Sequence, residues 1–351
     1  MIVAALTLAL TGCGSGAGDG TAPGSARVPN VVMTSADAGY AVWPSGVRWI
    51  VLGTTDGWRT VTNRTPVAVP TDGGLVLAAG TGRVWVGVLP FHELTVSPVL
   101  TSDGMTRLWS PTQLPSGLEP SSTAIGRSSA ATWAVLADGS VVSLRDGATS
   151  WTRSTSAHEL DATGALTLSG VSFAHGSTGF LTARRKSSGP TLFITTDAGL
   201  SWHDSGLRTA GAAVRAWTPC FIGASWVAPV QVDDRLVLMT SANPDGPWRA
   251  GPPAPVAGQA LVTCTPQRVI AAIPDNGSDS LFAAGLDGAW TALGPSGRHL
   301  LSMTGASDDV AFAADADSSR VLRVQLSDPV RIDGLALPAW VATIGGDAMR
   351  N

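Results

Sequence analysis

Short apolar segments recur along this chain between turn-forming residues. Seven of them carry a large or branched apolar residue, at 39–42, 83–86, 132–135, 179–181, 225–228, 268–271 and 309–312. Runs this short that are bounded by Gly, Asp, Ser and Thr are typical of strands, whereas helices need longer stretches with a 3.6-residue period. No stretch is convincingly helical, so the pattern predicts an all-β protein.

A second repeat alternates with these segments, consisting of an Asp-Gly turn followed by a tryptophan. The tryptophans are Trp58, Trp109, Trp151, Trp202, Trp248 and Trp290, at spacings of 51, 42, 51, 46 and 42 residues. Another Asp-Gly pair, Asp333-Gly334, precedes Trp340 and would be a seventh, decayed copy.

Each repeat has room for two apolar strands, a third strand, the Asp-Gly turn and a short fourth strand. A four-stranded unit of this length is the size of a β-propeller blade. We therefore predict one β-propeller over residues 27–351, most simply with seven blades of four antiparallel strands, and six or eight blades as alternatives. Residues 340–344 have the pattern of one extra strand, which would either complete the ring or form an edge.

The clearest copy of the turn is Thr195-Thr196-Asp197-Ala198-Gly199-Leu200-Ser201-Trp202. It resembles the Asp-box, or BNR repeat, of β-propellers that include the sialidases and photosystem-assembly factors. The resemblance implies structural roles for Thr195, Asp197, Gly199, Ser201 and Trp202. The carboxylate would accept backbone N–H bonds, the glycine would adopt a conformation that is costly for other residues, and the indole would pack beneath the turn.

The N-terminus predicts export. Residues 1–12 are mostly apolar, too few to cross a bilayer, and fit a signal-peptide core. Leu10-Thr11-Gly12-Cys13 resembles the bacterial lipobox, which implies lipid attachment at Cys13, and an ordinary secretory signal is the alternative. Because no Lys or Arg precedes the apolar run, we expect the signal peptide to be N-terminally incomplete. Residues 13–26 are rich in Gly, Ser and Ala and predict a flexible tether to the bacterial cell membrane.

Two further cysteines, Cys220 and Cys264, lie at similar positions of neighbouring repeats. An even pair in an exported protein predicts a disulfide, with two buried free thiols as the alternative.

Enzyme chemistry is weakly supported. Arg27-Val28-Pro29 resembles the segment that opens the sialidase domain, which implies that Arg27 would bind a substrate carboxylate. That family also uses a Tyr nucleophile beside a Glu, but the single tyrosine, Tyr40, lies where other repeats have large apolar core residues. Residues 275–279 and 315–317 carry oxygen ligands without completing a calcium loop. The histidines and cysteines form no zinc motif, so we expect no metal or cofactor.

Composition narrows the class of partner. Only 14% of residues are charged, 44% are hydrophobic and the net charge is −4. A general nucleic-acid binder is therefore not expected. We predict a monomeric, lipid-anchored extracytoplasmic propeller, without catalytic activity, that binds an envelope protein or glycan through its loops. The alternative is a sialidase-like glycoside hydrolase or a carbohydrate-binding derivative of one.

Overall fold

The computed structural model describes residues 29–45, 48–66, 74–80, 83–88, 99–102, 108–118, 122–186, 189–209, 213–315, 320–327 and 329–341. These residues form seven antiparallel sheets in sequence order, each built from one contiguous stretch of chain. The prediction of a seven-bladed β-propeller is confirmed.

The first four blades occupy the N-terminal half. Blade 1 contains β1 (Asn30–Met33), β2 (Gly39–Ser45), β3 (Arg48–Thr54) and β4 (Thr62–Asn63). Blade 2 contains β5 (Leu75–Gly80), β6 (Arg83–Val88), β7 (Val99–Ser102) and β8 (Ser110–Pro111). Blade 3 contains β9 (Ser122–Arg127), β10 (Ala131–Leu136), β11 (Ser140–Arg145) and β12 (Thr152–Ser156). A one-turn helix, α1 (Ala157–Leu160), leads to blade 4, which contains β13 (Leu166–His175), β14 (Thr178–Arg185), β15 (Gly189–Thr195) and β16 (His203–Asp204).

Three blades follow. Blade 5 contains β17 (Ala213–Ala216), β18 (Cys220–Ile222), β19 (Ser225–Val232), β20 (Arg235–Ser241) and β21 (Arg249–Ala257), and both β17 and β18 pair with β19. Blade 6 contains β22 (Leu261–Cys264), β23 (Val269–Asp275), β24 (Ser278–Ala284) and β25 (Trp290–Pro295). Blade 7 contains β26 (Leu300–Ser307), β27 (Val310–Asp315), β28 (Arg320–Gln325) and β29 (Arg331–Ala336).

The recurring apolar segments are the second strands of the blades. All six residues of β10 are buried, as are all six of β27. A second strand lies inside its sheet and is covered on both faces by neighbouring blades, so it is apolar at successive positions rather than at alternate ones. This burial explains why these segments are the strongest signal in the sequence.

The ring closes by packing between blades 7 and 1, since β1 contacts β26 and β27. Blade 7 takes its outer strand from its own β29, and its described strands all come from residues 300–336. Phe312 and Trp58 lie in the core that the two blades share. The prediction of an extra strand at 340–344 is wrong for its described part, because residues 339–341 form a helical turn. Leu337 and Val341 pack into the closing core instead.

Asp333-Gly334 is not a seventh copy of the turn. Both residues lie within β29, where Asp333 pairs with Arg323 and Gly334 with Leu322. The turn between the third and fourth strands of blade 7 therefore precedes them.

The repeated tryptophans connect blades. Each of five indole Nε1–H groups donates to the fourth strand of the preceding blade or to residues just beyond it. These bonds run from Trp109 to the Arg64 carbonyl (2.6 Å), Trp151 to Thr112 Oγ1, Trp202 to Ser154 Oγ (3.0 Å), Trp248 to the Ser205 carbonyl (3.0 Å) and Trp290 to the Pro252 carbonyl (3.2 Å). The indoles therefore link neighbouring blades, a role that the sequence analysis did not predict.

Near the axis, the first strands of several neighbouring blades approach each other closely. A Cβ atom at Gly126 in β9 would overlap the Val171 carbonyl of β13, and one at Gly305 in β26 would overlap the Cys264 carbonyl of β22. Glycine is needed at both positions because backbone lies against backbone.

Candidate functional site

The lipid-attachment residue Cys13 and the possible ligand-binding residue Arg27 lie outside the described residues. Both stay predictions. The other predicted residues are described, and they lie in turns and strands of blades 4, 5 and 6.

The turn after β15 is held by one threonine and one aspartate. Thr195 Oγ1 donates to Asp197 Oδ1 at 2.7 Å and accepts the Gly199 N–H at 2.8 Å. Asp197 also accepts the Ser201 N–H at 2.9 Å and the Ser201 hydroxyl. The hydrogen bond from the Ser201 hydroxyl, followed by those from the Ser201 N–H and from Thr195, lowers the pKa of Asp197 to about 2. The carboxylate is therefore fully engaged in its own turn.

Blade 1 repeats this geometry with a different alignment from the one that the sequence suggests. Thr54 Oγ1 donates to Asp56 at 3.0 Å and accepts the Trp58 N–H at 2.9 Å, so Trp58 takes the place of Gly199. Trp58 has φ +71°, close to the +83° of Gly199. The Asp-Gly-Trp motif of this blade is thus not in register with the one that ends at Trp202.

The remaining described turns use their acids differently. In blade 5 the equivalent of Asp197 is Asn243, whose N–H is accepted by Ser241 Oγ, while Asp245 pairs with His203 of blade 4 at 2.7 Å. In blade 3, Asp146 pairs with Arg127. The acids of these turns thus have different partners, so the repeated Asp-Gly pair does not form one repeated site.

Cys220 and Cys264 are joined as a disulfide in the structure, with their Cα atoms 6.4 Å apart. Cys220 begins β18 and Cys264 ends β22, so the bond connects blade 5 to blade 6 near the axis. Its formation in the cell is a prediction that a thiol assay can test.

A polar cluster lies between blades 6 and 7, at the end of the propeller opposite the Asp-Gly turns. Asp279 is buried and holds His299 Nδ1 at 3.0 Å and the Leu300 N–H at 2.8 Å. Arg298 pairs at 3.2 Å with Asp315, whose side chain is fully buried. Arg298 compensates the charge of Asp315, and His299 together with the Leu300 N–H satisfies the oxygens of Asp279.

The same cluster contains the described parts of both segments that carry possible calcium ligands. Asp275 accepts hydrogen bonds from Asn276 and Ser280, and Asp279 and Asp315 are engaged as above. Within the described residues, no group of three or more acidic, histidine or cysteine side chains is arranged to hold a metal ion.

Tyr40 borders a small cavity on the outer part of blade 1. The cavity has a volume of about 50 Å³, and its lining consists of Tyr40, Gly53, Thr54, Thr55, Thr60, Thr62 and Arg64. Glu93 and Glu119 lie outside the described residues, and Glu159, which is described, pairs with Arg153 at 2.9 Å on the link between blades 3 and 4. Tyr40 packs partly buried against the core between blades 1 and 2, while its equivalent in blade 4, Phe180, is fully buried.

The comparisons with known proteins identify a fold. No family model matches the chain, and no curated protein is significantly similar. The structure of "YCF48 bound to D1 peptide" is similar with a TM-score of 0.54 and 15% identity, over 82% of this chain and 93% of that one. The structure of YCF48 from Cyanidioschyzon merolae is similar with a TM-score of 0.56 and 17% identity, over 84% of this chain and 93% of that one.

A structure from a study of two prolyl endopeptidases has a TM-score of 0.61 and 12% identity, over 89% of this chain and 51% of that one. At such identities these similarities support the propeller architecture and carry no residue role across. In the portion of the chain with described structure, no helix is both long and apolar enough to cross a bilayer.

Proposed function

We propose that this protein is a non-catalytic, lipid-anchored β-propeller that binds a protein partner at the outer face of a bacterial cell membrane. One observation carries the proposal: the seven-bladed ring is similar in structure to YCF48, which has been seen bound to a D1 peptide. A propeller of this architecture can therefore hold a peptide, and its two ends offer loops from every blade for that purpose.

The hydrogen bonds of two turns agree with a non-catalytic propeller. The Thr195–Ser201 and Thr54–Thr60 turns share the hydrogen bonds expected of an Asp-box, in which the acid serves the fold. We assign both turns to that class. A sialidase-like hydrolase would need a glutamate beside Tyr40, and the described residues that line the Tyr40 cavity supply hydroxyls and one guanidinium.

The membrane anchor is tested by comparing the wild-type chain with Cys13→Ala in a bacterial host that processes lipoproteins. We expect the wild type to incorporate labelled palmitate and to sediment with membranes, and Cys13→Ala to do neither. Cys220→Ser, which keeps Cys13, is the matched control. Membrane retention of Cys13→Ala would refute the anchor.

The partner is tested by placing a photo-crosslinking amino acid at one end of the propeller or the other. His175 is exposed at the end that carries the Asp-Gly turns, and Asn276 is exposed at the opposite end. We expect a discrete protein adduct from one position and not from the other, which also identifies the binding end. Release of sugar from a fluorogenic sialoside that is abolished by Tyr40→Phe would instead establish the hydrolase.

A further inference from the structure

The outer strand of blade 7 is an unprotected sheet edge. β29 pairs with β28 from Arg331 to Ala336 without a register shift, and it contains no proline. The outer strand of every other blade has a feature that hinders pairing with another chain. β4, β8 and β16 are two residues long, β12 and β25 pair with a register shift, and β21 has register shifts and three prolines. Short length, bulges and prolines protect exposed edges, so among the described outer strands β29 alone lacks protection.

The backbone of β29 presents polar groups to the outside of the sheet. The Leu326 N–H donates to the Asp309 carbonyl at 2.8 Å, so Leu326 and alternate residues before it face β27. In antiparallel strands, the β29 partners of such residues direct their backbone N–H and C=O groups away from β28. These partners are Ile332, Gly334 and Ala336. All three are exposed or half-buried, and an added strand can therefore bond to them.

The charges beside this edge favour an acidic partner. A Cβ atom at Gly334 would lie 3.5 Å from Arg320 Nη1, so the absence of a side chain lets this guanidinium of β28 lie across the outer strand. In the described part of the chain, neither Arg320 nor Arg331 forms a salt bridge. Together β28 and β29 contain Arg320, Arg323 and Arg331 against one acid, Asp333, which gives a net charge of +2.

The same charges disfavour a second copy of this chain, or one of its own ends, as the occupant. Two copies that paired through β29 would bring together two edges of net charge +2, and like charges destabilise strand pairing. The terminal segments 1–28 and 342–351 each carry one aspartate and one arginine, so neither supplies a negative strand. A segment of another protein can supply one.

We propose that the β29 edge binds an extended acidic segment of a protein partner as an additional antiparallel strand. Its backbone bonds to the outward groups of Ile332, Gly334 and Ala336. An acid opposite Gly334 meets the guanidinium of Arg320, and an acid opposite Arg331 meets that residue directly. The edge lies on the rim of the ring, so this site goes beyond the proposed function and is separate from both ends of the propeller and from the anchor.

A fluorescence anisotropy titration of the full chain with labelled Thr-Val-Val-Glu-Lys-Val-Glu-Thr tests the proposal. In antiparallel register the two glutamates lie opposite Gly334 and Arg331, and the lysine lies opposite Asp333. One control peptide has lysine in place of both glutamates. The other has proline in place of the valine opposite Ile332, which keeps the acids but removes a backbone donor.

We expect saturable binding of the acidic peptide at millimolar concentration or below, and of neither control. Because the whole chain carries a net charge of −4, general electrostatic attraction does not account for binding of an acidic peptide. Hydrogen exchange of the Ile332 and Gly334 amides should become slower when the peptide binds, which locates the contact at β29.

We expect Ile332→Pro to abolish binding, because it removes an outward N–H and keeps the bonds to β28. Ile332→Val keeps the N–H and should bind as the wild type does. Arg320→Gln should weaken binding up to about fivefold. Arg249→Gln removes an exposed arginine from the protected edge β21 and should have no effect.

Thermal midpoints show whether each variant folds, and if Ile332→Pro does not, Arg320→Gln and the proline peptide decide the question. The proposal is overturned if the acidic peptide does not bind, or if the proline peptide or folded Ile332→Pro gives equal binding. Sedimentation of the wild type as a dimer that Ile332→Pro dissociates would also overturn it, because a second copy would then occupy the edge. None of these results bears on a partner that crosslinks at either end of the propeller.

Discussion

Gly199 and Gly147 have almost the same backbone conformation, with φ of +83° and +82°, but different surroundings. A Cβ atom at Gly147 would meet nothing within 4 Å. One at Gly199 would overlap Trp133 Cη2 and lie 2.7 and 2.8 Å from Cζ3 and Cζ2. Alanine at either site adopts a left-handed conformation at a cost of about 1–2 kcal/mol, but only Gly199→Ala must also displace an indole.

Trp133 has little room to yield. The residue is 3% exposed, and its ring stacks on Phe173 at a centroid distance of 4.8 Å and meets Trp202 edge-on at 6.1 Å. Overfilling a packed core costs about 1–3 kcal/mol. We therefore expect Gly199→Ala to lower the free energy of unfolding by about 2–5 kcal/mol in all, and Gly147→Ala by only about 1–2 kcal/mol.

Equilibrium unfolding in urea measures both changes, and a double-mutant cycle isolates the clash. In a Trp133→Leu background, Gly199→Ala should cost no more than Gly147→Ala, because the smaller side chain leaves space for the methyl group. Equal costs for the two alanine variants in the wild-type background would refute the reasoning. So would a large cost of Gly199→Ala that persists without the indole.

Other perturbations test the turn, the disulfide and the indole contacts. Asp197→Ala should lower the free energy of unfolding by about 1–2 kcal/mol, and Asp197→Asn should lower it by less. Because the folded pKa of about 2 lies below the ordinary value of 3.8, the advantage of Asp197 over Asn should be present above about pH 4 and fade as the pH falls toward 2, as measured by thermal midpoints. Because the disulfide closes a loop that spans 44 positions, the free energy of unfolding of the Cys220→Ser/Cys264→Ser variant in urea should be lower by about 2–4 kcal/mol. Two reactive thiols at these positions in the unreduced, unfolded wild type would contradict the bond. Trp202→Phe should cost about 1 kcal/mol or more and be strongly coupled to Ser154→Ala, whereas additive effects would show that the indole bond does not hold the blades together.

The number of blades could be predicted from the sequence because the apolar second strands and the repeated tryptophans both contact neighbouring blades. A second strand is enclosed by two neighbouring blades, so its apolar character persists in every copy. Trp109 and Trp290 each contact the preceding blade, and that contact recurs in five of the seven blades. The spacing between these residues therefore gives the length of one blade, and the second strands give the number of blades.

The acids of the turns were less informative because a carboxylate in a short turn can be satisfied in several ways. Asp197 binds its own turn, Asp146 pairs with Arg127, and Asp245 pairs with a histidine of the preceding blade. An Asp-Gly pair can also lie inside a strand, as Asp333-Gly334 does in β29. Sequence alone does not distinguish these cases, because the strand ends must be known before a threonine or serine can be placed at the start of a turn.

The cavity beside Tyr40 could not have been predicted from the sequence for a related reason. Gly53 is one of 41 glycines, and nothing in its neighbours marks it. Its role depends on the register that places it between Tyr40 and Thr62, at the position that Ile194 occupies in blade 4.

Blades 1 and 4 solve one packing problem in opposite ways. Both turns place a residue with positive φ against the preceding blade. Blade 4 uses Gly199 because Trp133 of blade 3 already fills that space. In blade 1, Trp58 itself occupies it, 1% exposed, beside Phe312 of blade 7 and with its indole 3.1 Å from Met33 Sδ. The strained backbone is therefore common to both turns, and the choice of glycine or tryptophan follows from which blade supplies the aromatic ring.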